Sequence, residues 1–458
     1  MENFSEYQNQ QDLSRCIIFL VNKKLLCYRE SNFYIKNEIP LEAGAEYRPR
    51  FLTGYASNGM KYDFVVIGAN GLQGKIVSKF LLKKGYSVLL CAISDYGMEE
   101  LIKHPKADFV HIDLRKMDKT KRDVKKSGSS VLINCAVDDY NLFVTQMSLD
   151  LGMNYIDLGS EEVMYYDQLK LSDEFKKKGL IGITGIGSTP GITNVMLRSV
   201  KDEFDIIDTV HLGFAWNSNK EVFVTPFSID AIAYEFTEPA KIFEKGKYIE
   251  RPPLECSINY RYKSIGSQKT QHTKHIEHHT FNDFLKDKGV KNIAVLSSFP
   301  RHSHSSIMAL INLGFMSKEV LDVNGTPIRP LDFTIEVLRR IQVPAGYTEK
   351  ENLFLKIYGT KNKKKKFVEM DCVAGTLPGW EDATCNVDTG FPAAILAEMI
   401  LKGEISDKGM FSPEFVIPPE PFFKKLGENQ IWVYKDGKKI NAPEKAGRNA
   451  ASLAVKKS

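Results

Sequence analysis

The chain has 458 residues, 43% hydrophobic and 26% charged, with 62 basic and 57 acidic side chains and a net charge of +5. This length suggests two or three domains with ample core, and the balanced charge gives no reason to expect nucleic acid or a membrane as the main partner. Seven cysteines, an odd number without a Cys-x-x-Cys pair, argue against a disulfide framework. The early apolar run Cys16 to Val21 is too short to cross a bilayer, so a cytoplasmic protein is expected.

Residues 1–59 have a polar start. Cys16 to Tyr28 and Phe33 to Ile35 read as a short hairpin, in an extension without an assigned role. Phe64 to Ile67 then has the length and β-branched content of a buried strand. Gly68, Gly71 and Gly74 follow as a G-x-x-G-x-x-G turn. Ile76, Val77, Phe80, Leu81 and Leu82 fall at helical spacing, and Gly85 ends the helix. Strand, glycine turn and helix in that order predict a pyrophosphate site, where bare N–H groups at a helix N-terminus approach the anion.

Strands over residues 87–93, 108–113, 130–136, 155–157 and 180–184 alternate with helices, which predicts a parallel, doubly wound Rossmann-type sheet over residues 60–187. The character changes after Ser188. Strand-like segments at 209–216, 257–263, 291–296, 353–358 and 366–371, with helices near 231–236 and 307–315, predict a mixed α+β substrate and dimerisation domain over 188–385. Residues 386–435 contain an apolar helix from Phe391 and a proline-rich stretch. Residues 436–458 read as a polar tail.

The second strand ends at Ile93 and Ser94, where an NAD site usually carries a carboxylate for the ribose; Asp95 comes about two residues late. This favours NADP, with NAD the alternative, although no arginine stands nearby for a 2′-phosphate. Asp95 could equally cap the next helix. Asp138 and Asp139 follow the fourth strand and read either as turn formers or as contacts to a substrate amine. His272, His275, His278 and His279 lack a matching acid or cysteine, so they read as a surface loop and no metal site is expected. Arg301 suits a substrate carboxylate by its planar fork, or an ion pair at a helix start.

Several segments together resemble the saccharopine dehydrogenase (saccharopine reductase) family, which also includes carboxynorspermidine dehydrogenase. They include Val65 to Gly74, Leu132 to Ala136, Gly152 to Leu158, Gly187 to Asn194, Phe299 to His302, Gly390 to Ala394 and Gly409 to Glu414. The Thr-Pro-Gly-Ile-Thr-Asn run at 189–194 is the most specific.

The resemblance implies a two-domain, often homodimeric oxidoreductase of amino-acid metabolism. It moves a hydride between a nicotinamide cofactor and the carbon of a C–N bond in a small amino-acid-derived substrate. It implies that residues 386–435 fold back on the nucleotide domain. On the same basis Gly68, Asn70, Gly71, Leu72, Gln73 and Gly74 would hold the pyrophosphate. Ser94 would lie by the adenosine ribose, Asp113 and Leu114 by the adenine, and Cys135 and Ala136 along the nicotinamide. Asp138, Thr189, Pro190, Gly191, Asn194 and Arg301 would shape the substrate pocket.

Two positions depart from saccharopine reductases of fungal type. Thr189 stands where those enzymes have Asp, and Asp230 where they have a carboxylate-binding Arg. Reversing that charge disfavours an anionic substrate. A polyamine-like or carbonyl substrate, or a non-catalytic cofactor-binding scaffold, are the alternatives.

Overall fold

The structure, a computed structural model, describes residues 16–21, 24–29, 32–33, 61–159, 161–224, 229–255, 258–338 and 340–442. It divides into two units, 1–59 and 60–458. In the first, Cys16–Val21 pairs antiparallel with Lys24–Arg29, which pairs with Asn32–Phe33. Ile35 lies outside the described residues.

In the second unit, one sheet has seven parallel strands. Their order is Gly409–Phe411, Ile181–Ile183, Asn154–Asp157, Val131–Asn134, Phe64–Ile67, Val88–Ala92 and Ala107–His111. The order reverses between Phe64–Ile67 and Val131–Asn134, so the loops after these two strands diverge and leave a crevice at their carboxyl ends. Phe64, Val65, Val66 and Ile67 are buried on both faces, as a central parallel strand requires. The seventh strand comes from the far end of the chain. Helix Val387–Leu401, apolar almost all round, packs beside helix Leu72–Lys83 and runs through Pro392.

The second sheet is mixed. Its centre is Asn292–Ser298 parallel to Ile206–Ser218, which pairs antiparallel with Glu349–Lys361 and through it with Lys364–Gly375. One face, carrying Val210, Leu212, Phe214, Trp216, Leu353 and Leu355, joins the core shared with the nucleotide sheet.

Several boundaries differ from expectation. Between Asn154–Asp157 and Ile181–Ile183 the chain forms two helices, Glu162–Leu169 and Ser172–Lys177. The strand segments expected at 353–358 and 366–371 lengthen into one hairpin that turns at Asn362 and Lys363, both at positive φ, because the strands continue through the lysines on either side. The chain also keeps structure beyond residue 436. Lys438–Lys439 pairs with Tyr434 and Lys435, and the buried Asn441 amide donates to the carbonyls of Phe423 and Ile431 at 2.9 Å. Residues 443–458 lie outside the described residues. No described helix is long and apolar enough to cross a membrane.

Candidate active site

The glycine turn leaves no room for side chains. A Cβ on Gly74 would stand 2.1 Å from the Gly68 carbonyl oxygen, and one on Gly68 would stand 2.6 Å from the Ala136 nitrogen. Gly68 also has φ +74°, which L side chains rarely adopt. Helix Leu72–Lys83 starts at Gly71 with no side-chain cap and no acid in its first turn, so its first N–H groups and dipole remain available to an anion. Gln73 donates to Asn386 Oδ1 at 3.3 Å, while its buried Oε1 has no partner. A dinucleotide fits this cradle.

At the adenosine end, Asn70 Nδ2 donates to Ser94 Oγ at 3.4 Å. Asp95 does not cap the next helix, Glu99–Ile102, whose N-cap position is Met98 and which has no side-chain cap. Asp113 is gripped bidentately by Arg115, at 2.8 Å from Nε and 3.0 Å from the terminal nitrogen. That hydrogen bond, ahead of the local backbone and charge, holds the carboxyl below its usual range. Arg115 is thus held on the third strand's loop beside Asp113, the residue expected by the adenine. Leu114 packs against the core under that loop. Cys135 and Ala136 follow the fourth strand, and burial pushes the Cys135 thiol up to about 12, so it is neutral.

The expected substrate residues divide. Thr189 is half-buried, and its hydroxyl donates to Glu277. Pro190 follows a cis peptide and packs on Gly159 and Gly185; Gly191, at φ +135°, lies so close to Gly187 that no Cβ fits. Asn194 is fully buried and committed. Its Oδ1 accepts from Gly191 N at 2.8 Å and its Nδ2 donates to Glu414 at 2.9 Å, so it locks the loop to the C-terminal segment.

Asp138 is exposed in a short turn, its carboxyl raised by local desolvation and then by Asp139. Arg301 is exposed at the first position of helix Arg301–Asn312 and makes no ion pair among the described residues. The structure does not join it to Thr189. Asp230 lies in helix Ile229–Thr237, with its side chain outside the described residues.

The histidine cluster is not a surface loop. His278 and His279 are buried in helix Glu277–Phe284. His278 uses both ring nitrogens on backbone groups, toward His275 O at 3.0 Å and Val295 N at 3.2 Å, and burial pushes its pKa down to about 3. A polar composition concealed this because the segment lies under the second sheet and satisfies its groups internally.

The residues that the linear pattern missed are acids. Glu277, fully buried, contacts His275 Nδ1 at 2.7 Å. Burial lowers the His275 pKa, but Glu277 outweighs that and leaves it raised. Burial likewise raises Glu277, and His275 with Thr189 brings it below its usual value. Glu235, on the same helix as Asp230, is buried with one oxygen unpartnered and is pushed up to about 7.

On the opposite side, Glu349 accepts from Tyr347 at 2.7 Å and from Cys385 Sγ at 3.2 Å. Glu351, half-buried beside it, is raised to about 7 by burial and by Glu349. Asp388, 1% exposed and with both oxygens unpartnered, rises well above its usual range through burial and then Glu351. Among the described residues no lysine or arginine makes an ion pair with Glu235, Glu277, Glu351 or Asp388, and only Glu277 has a basic partner, His275.

Asp388, Glu351, His275, Glu277 and Thr189 lie along one chain of contacts, which Glu235 joins through the charge of His275. From Gln73 it runs through Asn386 to Asp388, then Glu351, which faces Trp216 across the strand pair. It continues through Phe299 and Phe214 at ring distances of 6.2 and 6.3 Å, and reaches His275 at 6.4 Å. Glu277 and Thr189 follow, and Thr389 closes it by a 3.2 Å contact with Ser188. Buried acids beside aromatic faces suit an ammonium, which both groups attract.

Residues 64–183 match the saccharopine dehydrogenase NADP binding domain, and residues 187–431 match the saccharopine dehydrogenase C-terminal domain. The carboxyaminopropylagmatine dehydrogenase of Synechocystis is 24% identical over 396 residues, covering 80% of this chain and 95% of that protein. The carboxynorspermidine synthase of Vibrio alginolyticus is 23% identical over 322 residues, covering 66% and 76%. Two solved structures share the fold. The L-Glu-forming saccharopine dehydrogenase of Saccharomyces cerevisiae has a TM-score of 0.65 at 12% identity, covering 83% of this chain and all of that one. The homospermidine synthase of Legionella pneumophila has 0.61 at 13%, covering 85% and 96%.

Proposed function

Since this chain belongs to the saccharopine dehydrogenase family, an NAD(P)-dependent oxidoreductase by that membership, we propose that it reductively joins a polyamine-like amine to a carbonyl compound. The observation that carries this is the set of buried acids Glu235, Glu351 and Asp388, which have no lysine or arginine partner among the described residues. Burial disfavours the ionised form of these acids, and a cationic substrate beside them would favour it. Two relatives are named for polyamine-type compounds, which agrees with that chemistry. A non-catalytic scaffold would call for a second domain without convergent polar groups, and here such groups do converge.

The amine adds to the carbonyl carbon, water leaves, and reduction of the resulting C=N bond gives a secondary amine. A nicotinamide, when bound, supplies the hydride. The chain's own residues do the rest. Glu351, Asp388 and Glu235 orient the ammonium groups, and Trp216 and Phe299 exclude water around them. Thr189, Glu277 and His275 form a hydrogen-bonded line that takes up the proton released by the attacking amine.

NADP is favoured over NAD. The second strand ends without a carboxylate, and Arg115 already neutralises Asp113 at the adenosine end. Replacing Arg115 by Ala should then raise the Kd for NADPH more than for NADH. Buried thiols outside any disulfide at Cys91, Cys372 and Cys385 agree with a reducing, cytoplasmic setting, and neither nucleic acid nor a membrane enters this reading.

The test is NADPH oxidation with a carboxylated aldehyde and a panel of amines. Turnover with polyamines or agmatine, and none with glutamate or lysine, is expected. Turnover confined to the amino acids would overturn the reading.

A further inference from the structure

Lys75 follows Gly74 directly, as the fourth residue of helix Leu72–Lys83. Ile76, Val77, Phe80 and Leu81 take the buried face of that helix, which leaves Lys75 half-buried at its edge. There it meets the loop that follows the second strand, Val88–Ala92. A Cβ on Gly97 of that loop would stand 3.6 Å from Lys75 Nζ. Gly97, at φ +72°, makes the turn, and the Met98 N–H closes it by donating to the Asp95 carbonyl at 3.1 Å. Asn70 reaches the start of the same loop at Ser94. The glycine turn and its helix therefore touch the adenosine-end loop twice, through an amide and through an ammonium.

That ammonium is poorly placed for stability. A cation in the opening turns of a helix meets the positive end of the dipole, an arrangement that an anionic ligand reverses. Among the described residues Lys75 makes no ion pair. The acids nearby are mostly committed elsewhere. Glu99 accepts from the Gly97 N–H at 3.2 Å. Hydrogen bonds from its own N–H and that of Gly97 hold its carboxyl below the usual range, with Lys103 and Lys75 adding to the effect. Asp113 is held by Arg115. Asp95 is exposed, one residue past Ser94.

We propose that Lys75 is the cation that receives the 2′-phosphate of NADP, beside the Ser94 hydroxyl and the Asn70 amide, and so sets the cofactor preference. This rests on the nicotinamide-cofactor reading above. A lysine ammonium is a compact charge with three donors on a flexible stem, which suits a phosphate at the rim of a crevice. NADH carries a hydroxyl at that position and gains little from the charge. Because the lysine comes from the helix, a search for a basic residue just after the second strand passes over it.

Titration calorimetry of the full chain with NADPH and with NADH tests this. The wild type should bind NADPH the more tightly. Lys75→Ala should weaken NADPH about 10- to 100-fold, the worth of one charge-assisted contact, and leave NADH unchanged. Lys75→Glu should reverse the preference and Lys75→Arg should keep it. The retained NADH affinity shows that each variant is folded. The wild-type preference for NADPH should also shrink as salt is raised, since the contact lies at the surface. If both nucleotides bind and Lys75→Ala changes them equally or not at all, the inference is overturned while the cofactor reading stands. It is likewise overturned if Asp95→Asn weakens NADH selectively, because the acid then holds the ribose hydroxyl. Binding of neither nucleotide overturns both.

Discussion

At the residue scale the site depends on acids held in unfavourable surroundings. Glu235 is ionised in the unfolded chain above its ordinary 4.5 but is pushed up to about 7 by burial in the fold. Its sign is destabilising: the cost grows as pH rises from about 4.5 to 7 and is constant above that. Replacing Glu235 by Gln should therefore stabilise the protein at pH 8 by at most about 3 kcal/mol, read from urea melts, while raising KM for the amine. The benefit should vanish at pH 4. A variant equally stable at both pH values would refute the assignment.

The His275–Glu277 pair has the opposite sign. A raised histidine stabilises the fold below its unfolded pKa, and that contribution is lost as pH rises through the folded value. A lowered glutamate stabilises above its unfolded pKa, and that contribution is lost as pH falls through the folded value. The pair therefore supports the fold between those two limits. Replacing Glu277 by Gln should lower kcat by about 10²- to 10³-fold with NADPH affinity unchanged, in steady-state kinetics and a fluorescence titration. A normal kcat would remove the pair from the chemistry.

At the element scale two turns are decisive. Gly74 lies one helical turn inside the pyrophosphate loop, and a methyl group there collides with the Gly68 carbonyl, which cannot move without opening the crevice. Gly74→Ala should weaken NADPH binding at least about 100-fold, measured by titration calorimetry. The Asn362-Lys363 tip poses the reverse case. Lys363 sits at φ +64°, a conformation costing a side chain about 1 kcal/mol. Lys363→Gly should raise stability by about that amount without touching activity, in thermal unfolding followed beside a kinetic assay.

At the scale of the whole molecule the nucleotide domain is completed from a distance. Gly409–Phe411 adds the seventh strand beside Ile181–Ile183, and helix Val387–Leu401 covers the face that Ile76 and Phe80 present. A fragment of residues 60–187 would expose that sheet edge and that apolar face. It should elute as aggregate and fail to bind NADPH, although it contains the whole glycine turn. A soluble, cofactor-binding fragment would show the returning segment to be dispensable.

The sequence by itself determined the cofactor end, because strand, glycine turn and helix are contiguous from Phe64 to Gly85 and each constraint there is local. The family followed from the same kind of short, ordered segments. The substrate end was a different matter. Glu235, His275, Glu277, Glu349, Glu351 and Asp388 come from a helix, a loop, another helix, a long strand and a third helix, spread over more than a hundred residues. Nothing in their spacing marks them as one set. Asn194 lay inside the most specific segment and still proved to be a lock on Glu414, because motif membership does not say which way an amide points. Burial and the absence of a basic partner made the acids chemically distinct, and both are properties that only the packed chain possesses.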